Sequence, residues 1–327
     1  MSVLDGQDPH ALALAVQRLA KGDVVAIPTE TVYGLAGRCD DDRAVALIFS
    51  TKGRPVDHPL IVHVADEEAA RFFARDLSEV ALRLMRQFWP GPLTLVVSRR
   101  EGRAQLAAAG RDTVALRCPD HPVAQQVLRL GRDQGIPGLA APSANRFGRV
   151  SPTRAQHVVA EFGPELMVVD GGPCREGIES AIVDCSRLHP YLLRPGTLSR
   201  QELEAVAGEP VRQPDALSPR VSGSLAAHYA PAAQVQLCSA QELASRWQHT
   251  PIGEDRRLGV YSRHPPPEGQ GVLWRQMPDN ANQVASELFD VLRNFDDSGA
   301  QAIWVESPPS GAEWEGVRDR LQRAAAS

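Results

Sequence analysis

The sequence predicts a mixed α/β protein built as two domains on either side of a linker, and three observations carry that expectation. Over residues 1–207, short apolar runs bounded by Pro, Gly or charge alternate with longer stretches of helical periodicity. From 208 to 233 the periodicity fades into Pro, Ser, Gly and Arg, as in Ser218-Pro219-Arg220-Val221-Ser222-Gly223-Ser224. From 234 to 327 the alternation resumes in the manner of a smaller, doubly wound, Rossmann-like unit, without a Gly-x-Gly-x-x-Gly loop. A chain of 327 residues accommodates two cores, because domains run to ~100–200 residues.

In chain order, apolar positions in 11–19 suit a helix that stops near Lys21-Gly22, and 24–27 is a short buried strand ended by Pro28. A loop follows. Asp41 and Asp42 place acid at the start of a helix running to about Phe49, and Lys52-Gly53-Arg54-Pro55 closes it. Next come a strand at 60–64, helical segments between about 66 and 88, and strands at 93–97 and 113–117. A helix near 122–130 precedes the apolar 138–141, which delivers Pro142-Ser143-Ala144-Asn145 to a strand end. Strands at 166–169, 180–184 and 191–194 and a helix at about 200–206 finish the first domain. In the second, strands at 235–237, 258–261, 272–275 and 302–306 alternate with helices near 241–247, 280–295 and from 313.

Composition excludes several classes. Hydrophobic residues make up 43% of the chain, as in ordinary globular proteins, and charges or prolines break every run before the ~20 apolar residues a membrane helix needs. Residues 1–10 carry Asp5 and Asp8 and no basic-then-apolar targeting pattern, so the expected compartment is the cytoplasm. Five widely spaced cysteines without a Cys-x-x-Cys pair argue against a disulfide framework and a zinc ribbon. The nine histidines form no metalloprotease pattern, and no permanent metal site is expected. Residues 1–200 hold 24 Lys and Arg against 23 Asp and Glu, far from the basic balance of an autonomous nucleic-acid binder.

The chain has 33 arginines and two lysines, Lys21 and Lys52. An ammonium is a compact point charge where guanidinium is a planar fork, so Lys52-x-Arg54 offers one of each on a sharp turn, an arrangement suited to a polyphosphate. The same residues also suit a plain helix end, with Gly53 as left-handed cap and cations near the last carbonyls. A Walker loop is excluded because neither lysine follows a glycine, and Ser143 lies in no Gly-x-Ser-x-Gly elbow. What remains are small polar groups and cations at strand ends: Thr29, Thr31, Tyr33, Arg117, Ser143, Asn145, Ser180 and Arg194. Hydroxyls and amides donate to anionic oxygens, and arginines pair bidentately with carboxylate or phosphate, so the set fits a nucleotide plus a small zwitterion.

The ordered blocks Pro28-Thr-Glu-Thr-Val-Tyr-Gly-Leu35, Lys52-Gly-Arg-Pro55, His58-Pro-Leu-Ile-Val-His63, Trp89-Pro-Gly-Pro-Leu-Thr94, Thr113-Val-Ala-Leu-Arg117 and Ala141-Pro-Ser-Ala-Asn145 are followed by Ser151-Pro-Thr153, Asp170-Gly-Gly172, Glu179-Ser180, Leu193-Arg-Pro-Gly196 and His228-Tyr-Ala-Pro231. Together they resemble the YrdC-like family, and within it the two-domain threonylcarbamoyl-AMP synthases of tRNA modification. The resemblance implies an open, twisted mixed sheet forming a positively lined concavity, with a smaller domain on a linker that can cover it. It implies the joining of L-threonine, bicarbonate and ATP into threonylcarbamoyl-AMP with release of pyrophosphate, Mg2+ accompanying the ATP, and a downstream tRNA threonylcarbamoyl transferase as partner. By the same resemblance, Thr31, His63, Arg117, Ser180 and the Ala141 backbone surround threonine. Arg54, His58, Thr113, Ser143, Asn145, Ser151, Arg194 and Tyr229 hold ATP, with Lys52 beside the phosphates and Lys52 and Arg54 as the catalytic cations. Many relatives carry Gly-Met-Lys-Tyr before the His-Tyr-Ala-Pro, where this chain has Arg220-Val-Ser-Gly-Ser-Leu-Ala-Ala227.

Two other readings share the cavity. A carbamoyl transferase of the hydrogenase-maturation type is disfavoured by the lack of zinc-finger cysteines. An RNA- or ribosome-binding module is disfavoured by near-neutral charge and by the intact Lys52, Arg54, Ser143 and Asn145 set.

Overall fold

The computed structural model describes residues 3–223, 225–249 and 257–327, and the chain divides into two compact units, residues 1–147 with 151–224 and residues 148–150 with 225–327. In the first, eleven strands form one sheet: β1 (Val3–Asp5), β2 (Val25–Ile27), β3 (Gly34–Arg38), β4 (Ile61–His63), β5 (Ala74–Asp76), β6 (Leu93–Arg99), β7 (Thr113–Arg117), β8 (Leu139–Ala140), β9 (Val168–Asp170), β10 (Ala181–Asp184) and β11 (Tyr191–Arg194). Their spatial order is β1-β9-β2-β3-β8-β4-β7-β6-β10-β11, with β5 on β6. Parallel pairs (β1/β9, β2/β9, β4/β7, β6/β10) alternate with antiparallel ones, so the sheet is mixed as expected.

The helices are α1 (Pro9–Ala20), α2 (Asp42–Lys52), α3 (Glu67–Phe73), α4 (Glu79–Phe88), α5 (Pro122–Asp133), α6 (Ala155–Phe162) and α7 (Arg200–Ala207). Side chains alternate across a strand, and β2 shows how the two layers are divided. Val25 and Ile27 pack with Leu12, Val16 and Leu19 of α1 and Val127 of α5, whereas Ala26 joins the opposite core with Ile48 of α2, Leu84 of α4, Val158 of α6 and Leu203 of α7. Helices α1 and α5 cover only one half of their face. On the other half Ile61, Val96, Ile182, Tyr191 and Leu193 cluster with Val221 and, among the described residues, with no helix. This helix-free half carries the candidate site.

Four elements depart from the expected layout: β1, β3, β5 and α6. Residues 34–38, expected within a loop, form β3 because Gly34 lets the strand approach its neighbour, an added Cβ there lying 3.2 Å from Ala141 Cβ.

The second unit has a four-stranded sheet in the order β12 (Gln234–Cys238), β15 (Ala302–Glu306), β13 (Leu258–Ser262), β14 (Leu273–Gln276), with every neighbouring pair parallel. It is wound by α8 (Ala240–His249), α9 (Ala281–Asp297) and α10 (Glu315–Ala325). Parallel strands need crossover helices, which is what the strand and helix alternation signalled. No helix among the described residues is long and apolar enough to cross a membrane, and the five cysteines are buried and free.

Candidate active site

A row of polar side chains crosses five adjacent strands on the helix-free face. His63 of β4 is in register with Arg117 of β7, Arg117 with Thr94 of β6, Thr94 with Ile182 of β10, and Ile182 with Arg194 of β11. Ser180, just before β10, shares a 2.8 Å hydrogen bond with Thr94 and has its carbonyl bound by Arg194 Nη2 at 2.9 Å. Arg194 reaches this face because the register shifts between Ile182 and Val183, so Leu193 is the extra residue of a bulge and the next side chain turns over. All five polar residues are buried. Burial, with Arg117 alongside, pushes the His63 imidazole down to about 3, so it is neutral at physiological pH.

Glu30 meets this row. Its Oε1 lies 2.7 Å from Arg117 Nη2 as an ion pair off hydrogen-bond alignment, and Glu30 is 1% exposed and Arg117 3%. Thr29 folds the adjoining turn. Its hydroxyl donates to the Val32 carbonyl at 2.6 Å, accepts from the N–H groups of Thr31 and Val32, and lies 2.9 Å from the Thr31 hydroxyl. The segment is braced by the Tyr33 hydroxyl, which donates to the Gly172 carbonyl at 2.7 Å, and by Ala144 N–H donating to Tyr33 O. Burial pushes the Tyr33 phenol up, so it stays a neutral donor.

A second group gathers at the C-terminus of α2. Gly53 caps the helix in the left-handed region (φ 63°), as expected. Lys52 is buried, however, and its Nζ donates to the carbonyls of Ser143 at 2.6 Å and Asn145 at 2.5 Å. The plain helix-end alternative for Lys52 is thereby corrected, since the ammonium is turned inward onto another loop. Burial first, then Arg54, pushes its pKa well below the ordinary lysine value, while Glu161 and Glu179 oppose that shift. Arg54 donates through Nη2 to Pro59 O at 3.0 Å and Ser222 Oγ at 2.9 Å, and its guanidinium lies 5.7 Å from the centre of the Phe147 ring. His58 stands edge-on to the same ring at 5.5 Å, and partial burial and Arg54 lower its pKa.

Arg194 Nη1 donates to Ser222 O at 2.9 Å, so Arg54 and Arg194 hold one residue between them. Ser151 is fully buried and donates to Glu179. Ala141 lies on a main-chain path fixed by its N–H donating to Ile61 O at 3.0 Å. Thr113 stands apart from the row, four residues from Arg117 along β7 or about 13 Å, and lines a cleft with Pro59, Ile61, Val96, Ala115 and Val221. Tyr229 belongs to the second unit, where it is buried with φ 62°, stacks on Phe289 at 5.5 Å and lies under the Arg320 guanidinium at 5.3 Å. Sequence reasoning assigned no role to Glu30, Thr94, Glu179 or Ser222. Three of these stand inside the motif blocks, but sheet register and ion pairing are invisible before the fold is known.

A mixed sheet with a row of buried polar groups on one face has the layout of an α/β protein with a ligand site on its sheet. The family model for Sua5, YciO and YrdC proteins, described as telomere recombination, matches residues 17–196. A second, described as the C-terminal domain of threonylcarbamoyl-AMP synthase, matches 198–326. The threonylcarbamoyl-AMP synthase of Bacillus subtilis is 38% identical, covering 98% of this chain and 94% of the relative. That of Pyrococcus abyssi is 35% identical, covering 96% and 93%. Among solved structures, P. abyssi Sua5 complexed with L-threonine superposes with a TM-score of 0.85 at 34% identity, over 96% of this chain and 94% of that one. A variant of the same P. abyssi protein, with a histidine and the tyrosine after it both replaced by alanine, gives 0.87 at 32%, over 99% and 96%. The chain belongs to the two-domain threonylcarbamoyl-AMP synthases, enzymes of the nucleotidyl-transfer type that form threonylcarbamoyl-adenylate for tRNA modification.

Proposed function

We propose that the helix-free face binds L-threonine at its His63–Arg117–Thr94 end and ATP toward Arg54, Arg194 and Thr113, and joins them through bicarbonate. The observation that carries this reading is the buried polar row crossing five strands, since so many polar groups on an apolar sheet face have no packing purpose. The P. abyssi protein solved with L-threonine supports the amino-acid half. The threonine nitrogen, freed of a proton, adds to carbon dioxide, or to bicarbonate with loss of water, to give a carbamate. A carbamate oxygen then attacks the α-phosphorus, and the bond to the leaving pyrophosphate breaks. No protein nucleophile is required. The chain brings two anions together and stabilises the charge developing on pyrophosphate through fixed cations and dipoles.

In this reading Thr31, His63, Arg117, Ser180 and the Ala141 backbone line the threonine pocket. Arg54, His58, Thr113, Ser143, Asn145, Ser151 and Arg194 take the nucleotide. Lys52 acts by holding the Ser143–Asn145 loop and setting positive potential at the phosphates. Magnesium enters as part of the ATP substrate, since phosphate-bound Mg2+ keeps several waters and needs few protein ligands. The product goes to a tRNA threonylcarbamoyl transferase in the cytoplasm. Pyrophosphate release requires ATP, L-threonine and bicarbonate together, with serine poorer by ~1–3 kcal/mol for its missing methyl. Undiminished release with any one omitted, or with glycine in place of threonine, refutes the assignment.

A further inference from the structure

We propose that Glu30 recognises the ammonium of the amino-acid substrate, so that the Glu30–Arg117 pair is a template for a zwitterion; this deepens the reading of the site as a threonine pocket. A buried ion pair kept for structure satisfies its remaining lone pairs and protons, because unpaired polar atoms in the interior are costly. This one does not. Both Glu30 carboxylate oxygens, Arg117 Nε and Nη2, and the neighbouring His63 Nδ1 are buried without a hydrogen-bond partner, although Glu30 and Arg117 approach to 2.7 Å.

The unused capacity is matched in kind to one ligand class. Arg117 offers donors for a carboxylate, and Glu30 offers acceptors for an ammonium beside it. A simple anion would leave Glu30 repelling it, whereas an α-amino acid presents opposite charges on adjacent atoms and leaves the site neutral overall. Glu30 is also held firmly in place, because its carbonyl accepts from Glu176 N–H at 2.7 Å and the Thr29 hydroxyl fixes the turn on its other side. The carboxylate is therefore presented from a braced turn, which lowers the ordering cost of binding.

Calorimetry with the full chain tests this, comparing L-threonine with the 2,3-dihydroxybutyrate of matching stereochemistry, in which a hydroxyl replaces the ammonium. The intact chain should prefer threonine by about 10- to 100-fold, the scale of a charged hydrogen bond. Glu30→Gln should lose most of that preference by weakening threonine alone. If Glu30 merely orients Arg117, the variant weakens both ligands equally, which overturns the proposal. Should the variant fail to fold, as thermal melting will show, the intact chain still decides, since equal affinity for the two ligands also overturns it. An intact chain that binds no threonine refutes the threonine pocket itself, an outcome distinct from loss of preference.

Discussion

The Lys52 ammonium donates to the Asn145 main-chain carbonyl at 2.5 Å, tying the end of α2 to the loop after β8. Ser143 O accepts a second bond from the same nitrogen at 2.6 Å. One compact cation thus shapes a loop whose side chains are assigned to ATP, where a planar guanidinium would present a wider, differently directed fork.

Lys52→Ala should therefore lower the pyrophosphate-release rate by ~10²–10³, the usual effect of removing a preorganised electrostatic contact. It should also cost about 1–3 kcal/mol of stability by leaving two carbonyls unpaired. Lys52→Arg should lose much of the activity despite keeping the charge. Steady-state assay alongside thermal melting checks both, and normal turnover by the alanine variant refutes the role.

His63 should make the fold acid-sensitive in a defined window. In the unfolded chain the imidazole protonates near 6.5, whereas the buried ring resists protonation down to about 3. Between those values the unfolded state binds more protons, so stability rises with pH and is lost as pH falls. The contribution amounts to about 2 kcal/mol between pH 6.5 and about 5. Urea unfolding across that range should be flatter for His63→Gln than for the unaltered chain, and parallel curves would contradict the burial argument.

Gly196→Ala should damage the site through the backbone. A Cβ there would lie 2.3 Å from Ala181 N and 2.9 Å from Ser180 C. Relief requires the start of β10 to move, taking Ser180 with it. Expected are a loss of ~1–3 kcal/mol in stability and a raised KM for threonine, measured by denaturant unfolding and initial rates.

Ser222→Ala removes the hydroxyl that Arg54 holds and keeps the carbonyl that Arg194 holds. With one competing charge-assisted contact gone, ATP affinity should rise about ten-fold, the lower end for a hydrogen bond to a charged group. Calorimetric titration with ATP reads this directly. A weakened affinity would mean that Ser222 assists the nucleotide.

Strands 113–117 and 191–194 were legible to the residue, because each is an apolar run with clear ends. Residues 34–38 were not, since two glycines in five residues suppress strand propensity and only packing against Ala141 explains them. Helix α6 lacked a start signal: its N-cap, Arg154, makes no side-chain cap bond. For the site, polar residues at strand ends could be flagged from sequence. The register that aligns Arg117 with Thr94, the bulge that turns Arg194 over and the pairing of Glu30 with Arg117 arise from contacts between distant segments.

The polar row also constrains when the protein can work during its own synthesis. Its members are spread from residue 63 to 194, each on a different strand or strand end, and no single hairpin contains more than two of them. A chain still emerging from the ribosome holds His63, Thr94 and Arg117 well before Ser180 and Arg194 exist, and pairings of this sequence separation form late. The row is incomplete until β11, the last strand of the first unit, pairs with β10, so the proposed site assembles only after residue 194 has been made and placed.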